Sequence, residues 1–512
     1  MGHCNLLLPC LVSIGGGLVF GYELAIISGA LLQLRVDFAL SCVQQEVLVS
    51  ALLVGALLAS VVGGSLIDWH GRRKSILFSS GLTLAGTVLL LITSYPALVV
   101  GRATVGFAMC ISSMSCCIFV SELVRPERRG LIVSLYEVGI TVGILAAYAV
   151  NYMMADTPDG WKWMFGVAAV PTVVQLVTLW YLPSNTQTNH AHKHLFNQMK
   201  NQETTYNCLS LFHTKDNMRT RTMIGLALVL FQQFSGQPNV LLYASTIFYE
   251  LGFHSHTAAV LASVGLGLVK VLSTLFSMTL TDRVGRRPLL IGGCFFMAVS
   301  LIMIGLLSTQ THVEEMSCIT KDVVSNSNMT RTHEPQITVE YLNETMINGG
   351  TEVKPSVASP LNTPAAKWVI LLSLMAAVSA YSVGFGPMTW LLLSEIFPTE
   401  VRGRAFAFTN CFNWSAHLLV TFTFLNIIDN IGLPRLFVLY GTIAAVAAVI
   451  LCKILPETKG KSLEEIDQEL RLNRFYQNED CCGFLSRRNS APQYHKVHCQ
   501  DIGLPVALEG QH

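Results

Sequence analysis

The stretches Asp68-Trp-His-Gly71-Arg72-Arg73 and Asp282-Arg-Val-Gly285-Arg286-Arg287 are two copies of one pattern, each set between two long apolar segments. A glycine ahead of two arginines, with an aspartate just upstream, makes a tight basic turn. Such a turn cannot sit in hydrocarbon, where one charged side chain costs about 2.5–3.5 kcal/mol on insertion scales. Two copies imply a duplicated membrane unit, the construction that many secondary transporters use for alternating access.

Composition agrees with a bilayer as solvent. Of the 512 residues 52% are hydrophobic and only 13% charged, with a mean hydropathy of +0.50. A soluble domain carries about 25% charged residues. The net charge of +1, without a long basic stripe, gives no sign of a nucleic-acid partner. Most of the 14 cysteines, among them Cys110, Cys116, Cys117, Cys294, Cys411 and Cys452, lie inside apolar runs and read as small buried hydrophobes. Cys42 and Cys318 fall in two loops on one expected side and are candidates to pair. The first apolar run, about 6–34, is too long for the core of a cleavable signal.

Apolar stretches of about 20 residues recur twelve times. They lie near 8–34, 46–66, 74–94, 97–121, 130–152, 162–182, 221–250, 256–281, 287–308, 366–394, 404–427 and 433–455. The expected fold is an all-α membrane protein of twelve transmembrane helices in two six-helix halves, 1–183 and 220–460. A polar linker, 184–219, joins the halves, and a tail follows over 461–512. Arg72, Arg73 and Lys74, then Arg125, Arg128 and Arg129, then Arg283, Arg286 and Arg287, then Arg402 and Arg404 all fall on one side if the helices alternate. That side is expected to be cytoplasmic, with both termini. The long acidic loop, about 309–365, then lies outside, where the sequons at Asn328 and Asn343 are open to glycosylation. A third sequon, Asn413-Trp-Ser415, is inside the eleventh segment and reads as membrane sequence.

The halves repeat more than the turn. Glu122 and Glu395 are each followed seven residues later by an arginine, Arg129 and Arg402. Asp68 stands 54 residues before Glu122, and Asp282 stands 113 before Glu395. The excess matches the outside loop. Charges at these helix ends serve topology alone, or they interlock as ion pairs that hold one conformational state shut. The second reading makes a lock of Asp68, Arg72, Arg73, Glu122, Arg129, Asp282, Arg286, Arg287, Glu395, Arg402 and Glu457.

These turns and spacings, with Pro456-Glu457-Thr458-Lys459-Gly460 after the last segment, resemble the sugar porters of the major facilitator superfamily. Gln232-Gln233-Phe-Ser-Gly236 and Gly386-Pro387-Met-Thr-Trp390 are similar to the facilitative glucose transporters, and the long sequon-bearing loop to their third class. The resemblance covers nearly the whole chain except the linker, the loop and the tail after about 475. It implies sugar contact by Gln232, Gln233, Trp390, Asn413 and Trp414. The chemistry suits that role, because amides match hydroxyls in either orientation and an indole offers an apolar face. Asn239, two turns after Gln232, is on the same expected face. Buried amides also serve as glue between helices, and tryptophans as packing or an interfacial belt.

The departures from the family are as informative. Pro238 stands where the family has Asn, with Asn239 one residue later and turned by about 100°. Glu137 replaces a sugar-binding Gln in the fifth segment, Lys270 an Asn in the eighth, and Ser382 a frequent acidic contact in the tenth. After the sixth segment, Pro-Glu-Ser-Pro-Arg has decayed to Pro183-Ser-Asn. Glu137 and Lys270 are ionisable groups at expected bilayer depth in opposite halves, which favours pairing across the cavity. A sugar contact or a plain structural pair remains open. Glu23 is a third such charge. Proton-coupled porters carry a carboxylate there, near the arginine matched by Arg102, so the two are proton-coupling candidates; a static Glu23–Arg102 pair is the alternative.

No metal-ligand cluster, cofactor motif or nucleophile–base set stands out, so the chain reads as no enzyme and needs no cofactor. Gly460-Lys461-Ser462 lacks the upstream glycine of a phosphate loop, Leu455 standing there. Cys481-Cys482 is a possible acylation site or an unpaired surface pair. The expected function is facilitative hexose transport, glucose first, at the plasma membrane or an internal membrane. Proton–sugar symport, carriage of dehydroascorbic acid and a non-transporting sugar sensor are the alternatives.

Overall fold

The structure is a computed structural model that describes residues 4–123, 126–181, 212, 217–251, 255–310, 364–398, 402–461 and 463–471. Among these residues there are helices and no strands. Nearly all of the linker, most of the sequon-bearing loop with Cys318, Asn328 and Asn343, and the tail with Cys481 and Cys482 lie outside them. So do the side chains of Asp68, Glu122, Arg129, Asp282 and Arg402.

The first half comprises α1 (Cys4–Ala25), α2 (Ile27–Asp37), α3 (Cys42–His70), α4 (Arg72–Leu90), α5 (Tyr95–Leu123), α6 (Pro126–Met153), α7 (Gly160–Val167) and α8 (Ala169–Tyr181). The second comprises α9 (Met218–Phe234), α10 (Gln237–Leu242), α11 (Ala244–Glu250), α12 (His256–Val284), α13 (Arg286–Gln310), α14 (Pro364–Val383), α15 (Phe385–Ile396), α16 (Arg402–Phe422), α17 (Phe424–Ile431), α18 (Leu433–Ile454) and the short α19 (Leu463–Arg471). The helix ends that carry Arg72, Arg73, Arg286 and Arg287 define the basic end of the bundle; the other is the far end.

All twelve expected segments fall on these helices. Among the described residues nine spans are long and apolar enough to cross a membrane, or ten if α16 and α17, bent by 41°, count as one span. The two that fall short have physical reasons. On α4 the buried Ser75, Ser79, Ser80, Thr83 and Thr87 lower its hydropathy, and each returns its hydroxyl to a carbonyl of the preceding turn. The seventh segment is broken at Gly236, where φ is +79°, and again at Tyr243. Broken helices at bilayer depth are tolerated where they line a cavity or are buried in protein.

Small residues bring the helices close, since lipid offers no hydrophobic drive to pack them. A Cβ on Gly21 of α1 would stand 1.9 Å from the Ile140 carbonyl oxygen of α6, and one on Gly106 of α5 equally near the Leu52 oxygen of α3. Exposed side chains such as Leu58, Val61, Leu272, Phe276, Phe296 and Leu372 face outward as a lipid-facing surface. Trp69 and Trp180 are exposed at the basic end, Trp163 and Trp368 at the far end. They mark the two interfaces where amphipathic rings collect. Cys42 is disulfide-bonded.

Candidate substrate site

The two halves meet along a seam where α6 packs on α12, α3 on α16 and α17, and α1 and α2 on α10 and α11. Three of the amides expected to touch substrate gather in the second half, beside this seam. Gln232 is buried and directs Nε2 to the Tyr381 hydroxyl at 3.1 Å and the Phe385 carbonyl oxygen at 3.2 Å. Gln233 is buried and donates Nε2 to Asn413 Oδ1, so α9 and α16 present joined amides. The Oε1 atoms of Gln232 and Gln233 are both buried without a hydrogen-bond partner among the described residues. A buried acceptor left unpaired costs about 1–3 kcal/mol, and a ligand hydroxyl would relieve that cost.

An aromatic wall adjoins the amides. Trp414 is buried next to Asn413, 6.3 Å from the Phe20 ring of the first half. His417 stacks on it with ring centroids 5.7 Å apart and planes 8° from parallel. His417, whose buried Nε2 has no hydrogen-bond partner among the described residues, belongs to none of the motifs quoted above. Its signal was present: a polar residue four after Asn413 shares its helix face. Trp390 is placed differently. It is half-buried and packs 5.5 Å from Phe406 in an apolar cluster with Val229, Leu393 and Phe397.

Asn239 spends its amide inside the second half. It is fully buried, donates Nδ2 to the Val420 carbonyl oxygen at 3.0 Å and the Tyr440 hydroxyl at 3.1 Å, and accepts from Thr421 Oγ1 at 3.1 Å. Every polar atom of its side chain is thereby occupied. Ser382 is buried too, and turns its hydroxyl to the Val378 carbonyl oxygen of its own helix.

The three membrane-depth charges have distinct settings. Lys270 is buried, with Nζ 5.2 Å from the centroid of the Tyr381 ring, so a cation sits over the residue that holds Gln232. Glu137, half-buried on α6, attracts Lys270 across the seam without a contact ion pair among the described residues. Glu23 and Arg102 are fully buried together, and among the described residues they make no side-chain ion pair, the static alternative to proton coupling. Arg102 gives Nη1 to the Glu23 backbone oxygen at 2.9 Å, while neither Glu23 carboxylate oxygen has a hydrogen-bond partner among the described residues.

At the basic end the second turn is fully built. Gly285 adopts φ +112°, and the Glu457 carboxylate accepts from the backbone N–H of Arg286 and of Arg287, each at 3.2 Å. It thus caps the start of α13, where an anion is favoured. Arg286 reaches Glu395 at 3.5 Å, and Arg287 donates to the Cys452 carbonyl oxygen at 2.7 Å. In the first turn Arg73 donates to the carbonyl oxygens of Leu179 at 3.0 Å and Trp180 at 3.3 Å, in the last turn of α8. Arg221, fully buried, ties α9 to the Ile396 carbonyl oxygen at 2.9 Å and to Asp467 of α19 at 2.8 Å.

A bundle of broken and continuous spans, with orphaned amides between two halves and arginine turns at one end, defines a membrane carrier. A family model described as "Sugar (and other) transporter" matches residues 9–321 and 348–470, and the chain belongs to that family. It is 52% identical over 512 residues to solute carrier family 2, facilitated glucose transporter member 10 of Danio rerio, spanning 97% of this chain and 99% of that one. The Homo sapiens protein of the same name is 48% identical, with 93% and 96% covered. Among solved structures, a D-xylose-proton symporter matches with a TM-score of 0.68 at 26% identity, over 90% of this chain and 100% of that one. The major facilitator fold and the sugar-transporter class expected from the motifs therefore hold, and the chain is a transporter-family member rather than an enzyme.

Proposed function

We propose that this chain carries a hexose, glucose or a close relative, down its gradient by alternating access of the Gln232–Gln233–Asn413 site. The basic end faces the cytoplasm, with both termini, in the plasma membrane or an internal membrane. The observation that carries this reading is the pair of orphaned Oε1 atoms on Gln232 and Gln233 beside the Trp414–His417 stack. Acceptors, donors and a flat apolar face are what a hydroxyl-rich ring needs. Asn413, Trp414 and His417 join the two glutamines as sugar contacts. Lys270 holds Tyr381, which positions Gln232, and Glu137 faces Lys270 across the seam. Asn239 serves as glue within its half, and Trp390 supports the wall from its apolar cluster.

The test is uptake of labelled glucose into liposomes holding the full chain, with unlabelled hexoses and dehydroascorbate as competitors. Saturable uptake is expected, and Gln232→Leu and Gln233→Leu should each lower kcat/KM by about 10- to 100-fold. Non-saturable uptake by the unaltered protein would sink the reading; sugar-dependent quenching of tryptophan fluorescence without uptake would favour a sensor. Stronger competition by dehydroascorbate than by any hexose would reassign the cargo.

One observation favours a second reading, proton–sugar symport. A carboxylate at bilayer depth with no hydrogen-bond partner is costly when ionised, and Glu23 is such a group. A proton that it gains and loses through the cycle would relieve the cost. Symport predicts that an inward proton gradient drives sugar above equilibrium in the unaltered protein and not in Glu23→Gln. Equal accumulation by the two proteins would exclude it.

A further inference from the structure

The broken seventh span carries a third amide. Gln237 opens α10, is 3% exposed, and has a buried Nε2 without a hydrogen-bond partner among the described residues. Its direction follows from Asn239, whose amide faces Val420 and Thr421 on α16 and Tyr440 on α18. Residues two apart on an α-helix are turned by about 200°. Gln237 therefore points away from α16 and α18 and toward the seam, where α10 packs against α1 and α2 of the first half. Gly236, the break just before it, is held at φ +79° with the Tyr440 ring so close that a Cβ would lie 2.2 Å from it. The break thus fixes where the third amide emerges: beyond Gln232 and Gln233, on the side of the far end.

We propose that Gln237 is a specificity-determining residue, donating Nε2 to one hydroxyl oxygen of the bound hexose that Gln232 and Gln233 do not reach. The inference rests on the reading of the seam as a sugar site. It gives a physical account of the Pro238-Asn239 order. With proline at 238 and Asn239 turned into its own half, the polar contact passes to the residue before the proline. The ligand class is an oxygen acceptor on a neutral ring, since an amide N–H gains most from a partner that cannot find water.

The experiment measures KM and kcat in liposomes for the hexose and for its monodeoxy analogues, each lacking one hydroxyl, with the unaltered protein, Gln237→Leu and the near-isosteric Gln237→Met. Gln237→Leu should raise KM for the parent hexose about tenfold. For one deoxy analogue alone the unaltered protein and the variant should have the same KM. Should Gln237→Leu fail to reconstitute, Gln237→Met carries the test, because it keeps the length and volume and has no hydrogen-bond donor. A penalty spread evenly over all analogues, or no penalty in a variant that transports, overturns the role of Gln237 and leaves the sugar site standing. Absence of saturable hexose uptake by the unaltered protein overturns both.

Discussion

The far end and the basic end of the bundle are held by different kinds of bond. At the far end several described hydrogen bonds run between the halves, beside others, such as Gln33 to Met154 and Trp161 to Asp37, that stay within the first half. Glu46 of α3 is fully buried and accepts from the Asn426 backbone N–H at 2.9 Å and from its side-chain amide, in the first turn of α17. Ser28 joins Ser245 at 3.1 Å, Tyr148 donates to the Leu241 carbonyl oxygen at 2.8 Å, and Thr257 donates to Asp156 at 3.0 Å. At the basic end the bonds described above for Arg73, Arg286, Arg287 and Arg221 lie within one half, while Asn410, nearer that end of α16, donates to Ser60 across the seam at 3.3 Å. Bonds across the seam oppose rocking of the halves; bonds within a half only stiffen a rigid body. The bonds between Glu46 and Asn426, Ser28 and Ser245, Tyr148 and Leu241, and Thr257 and Asp156 thus form a seal between the halves toward the far end, with Glu46 as its buried charged member.

The largest effect should come from breaking that seal. Glu46→Ala leaves the α17 N-terminus without its acceptor, a loss of about 2 kcal/mol, which shifts the population open at the far end by roughly 30-fold. The readout is labelling of Ala244→Cys, fully buried on α11 beside α2, by a membrane-impermeant thiol reagent added from the far side. An unchanged labelling rate in a variant that still transports would show that Glu46 is not part of the seal. Tyr148→Phe removes a single neutral bond between halves. It should raise the same rate about fivefold, in line with roughly 1 kcal/mol for one hydrogen bond.

The contrast between the ends also separates what sequence could reveal from what it could not. The basic end was legible because charge in lipid is forbidden and a glycine at positive φ is needed: Gly71 and Gly285 adopt φ +83° and +112°, and the arginines beside them had few places to go. Gln232, Gln233 and Asn413 were legible because amides are scarce in apolar segments. Glu46 was not, because a carboxylate four residues after Cys42 reads as an ordinary polar helix start, and its partner lies 380 residues away. Asn239 shares the face of Gln232 only on a straight α-helix; the break at Gly236 changes which face each later residue presents, and no spacing announces it. Arg102 bonds the Glu23 backbone oxygen, and spacing cannot tell whether an arginine chooses a carboxylate or the backbone oxygen behind it.

Within a half, Glu457→Gln should act on stability and not on the seal. It keeps an acceptor at the start of α13 but removes the charge, at a cost of about 0.5–1 kcal/mol for an anion at a helix N-terminus. A lower melting temperature in detergent is expected, with the Ala244→Cys labelling rate unchanged. A rise in far-side labelling would show that the second turn is coupled to the seam, and would remove the distinction between the two ends.

The smallest effect belongs to the first turn, and it tests whether the twin turns are equivalent. Glu457 supplies the second turn with a carboxylate, whereas Arg73 is held by the two carbonyl oxygens at the end of α8. A cation on the last turn of a helix is worth about 0.3–1 kcal/mol. Arg73→Lys keeps the charge but not the two-pronged geometry, so it should lower the melting temperature less than Glu457→Gln does. Added salt should narrow the gap between the unaltered protein and Arg73→Gln, because a partly exposed charge–dipole contact is screened. If Arg73→Lys is instead the more damaging of the two, the carbonyl clasp on α8 carries more of the fold than the carboxylate cap on α13, and the twin turns are not mechanically equivalent.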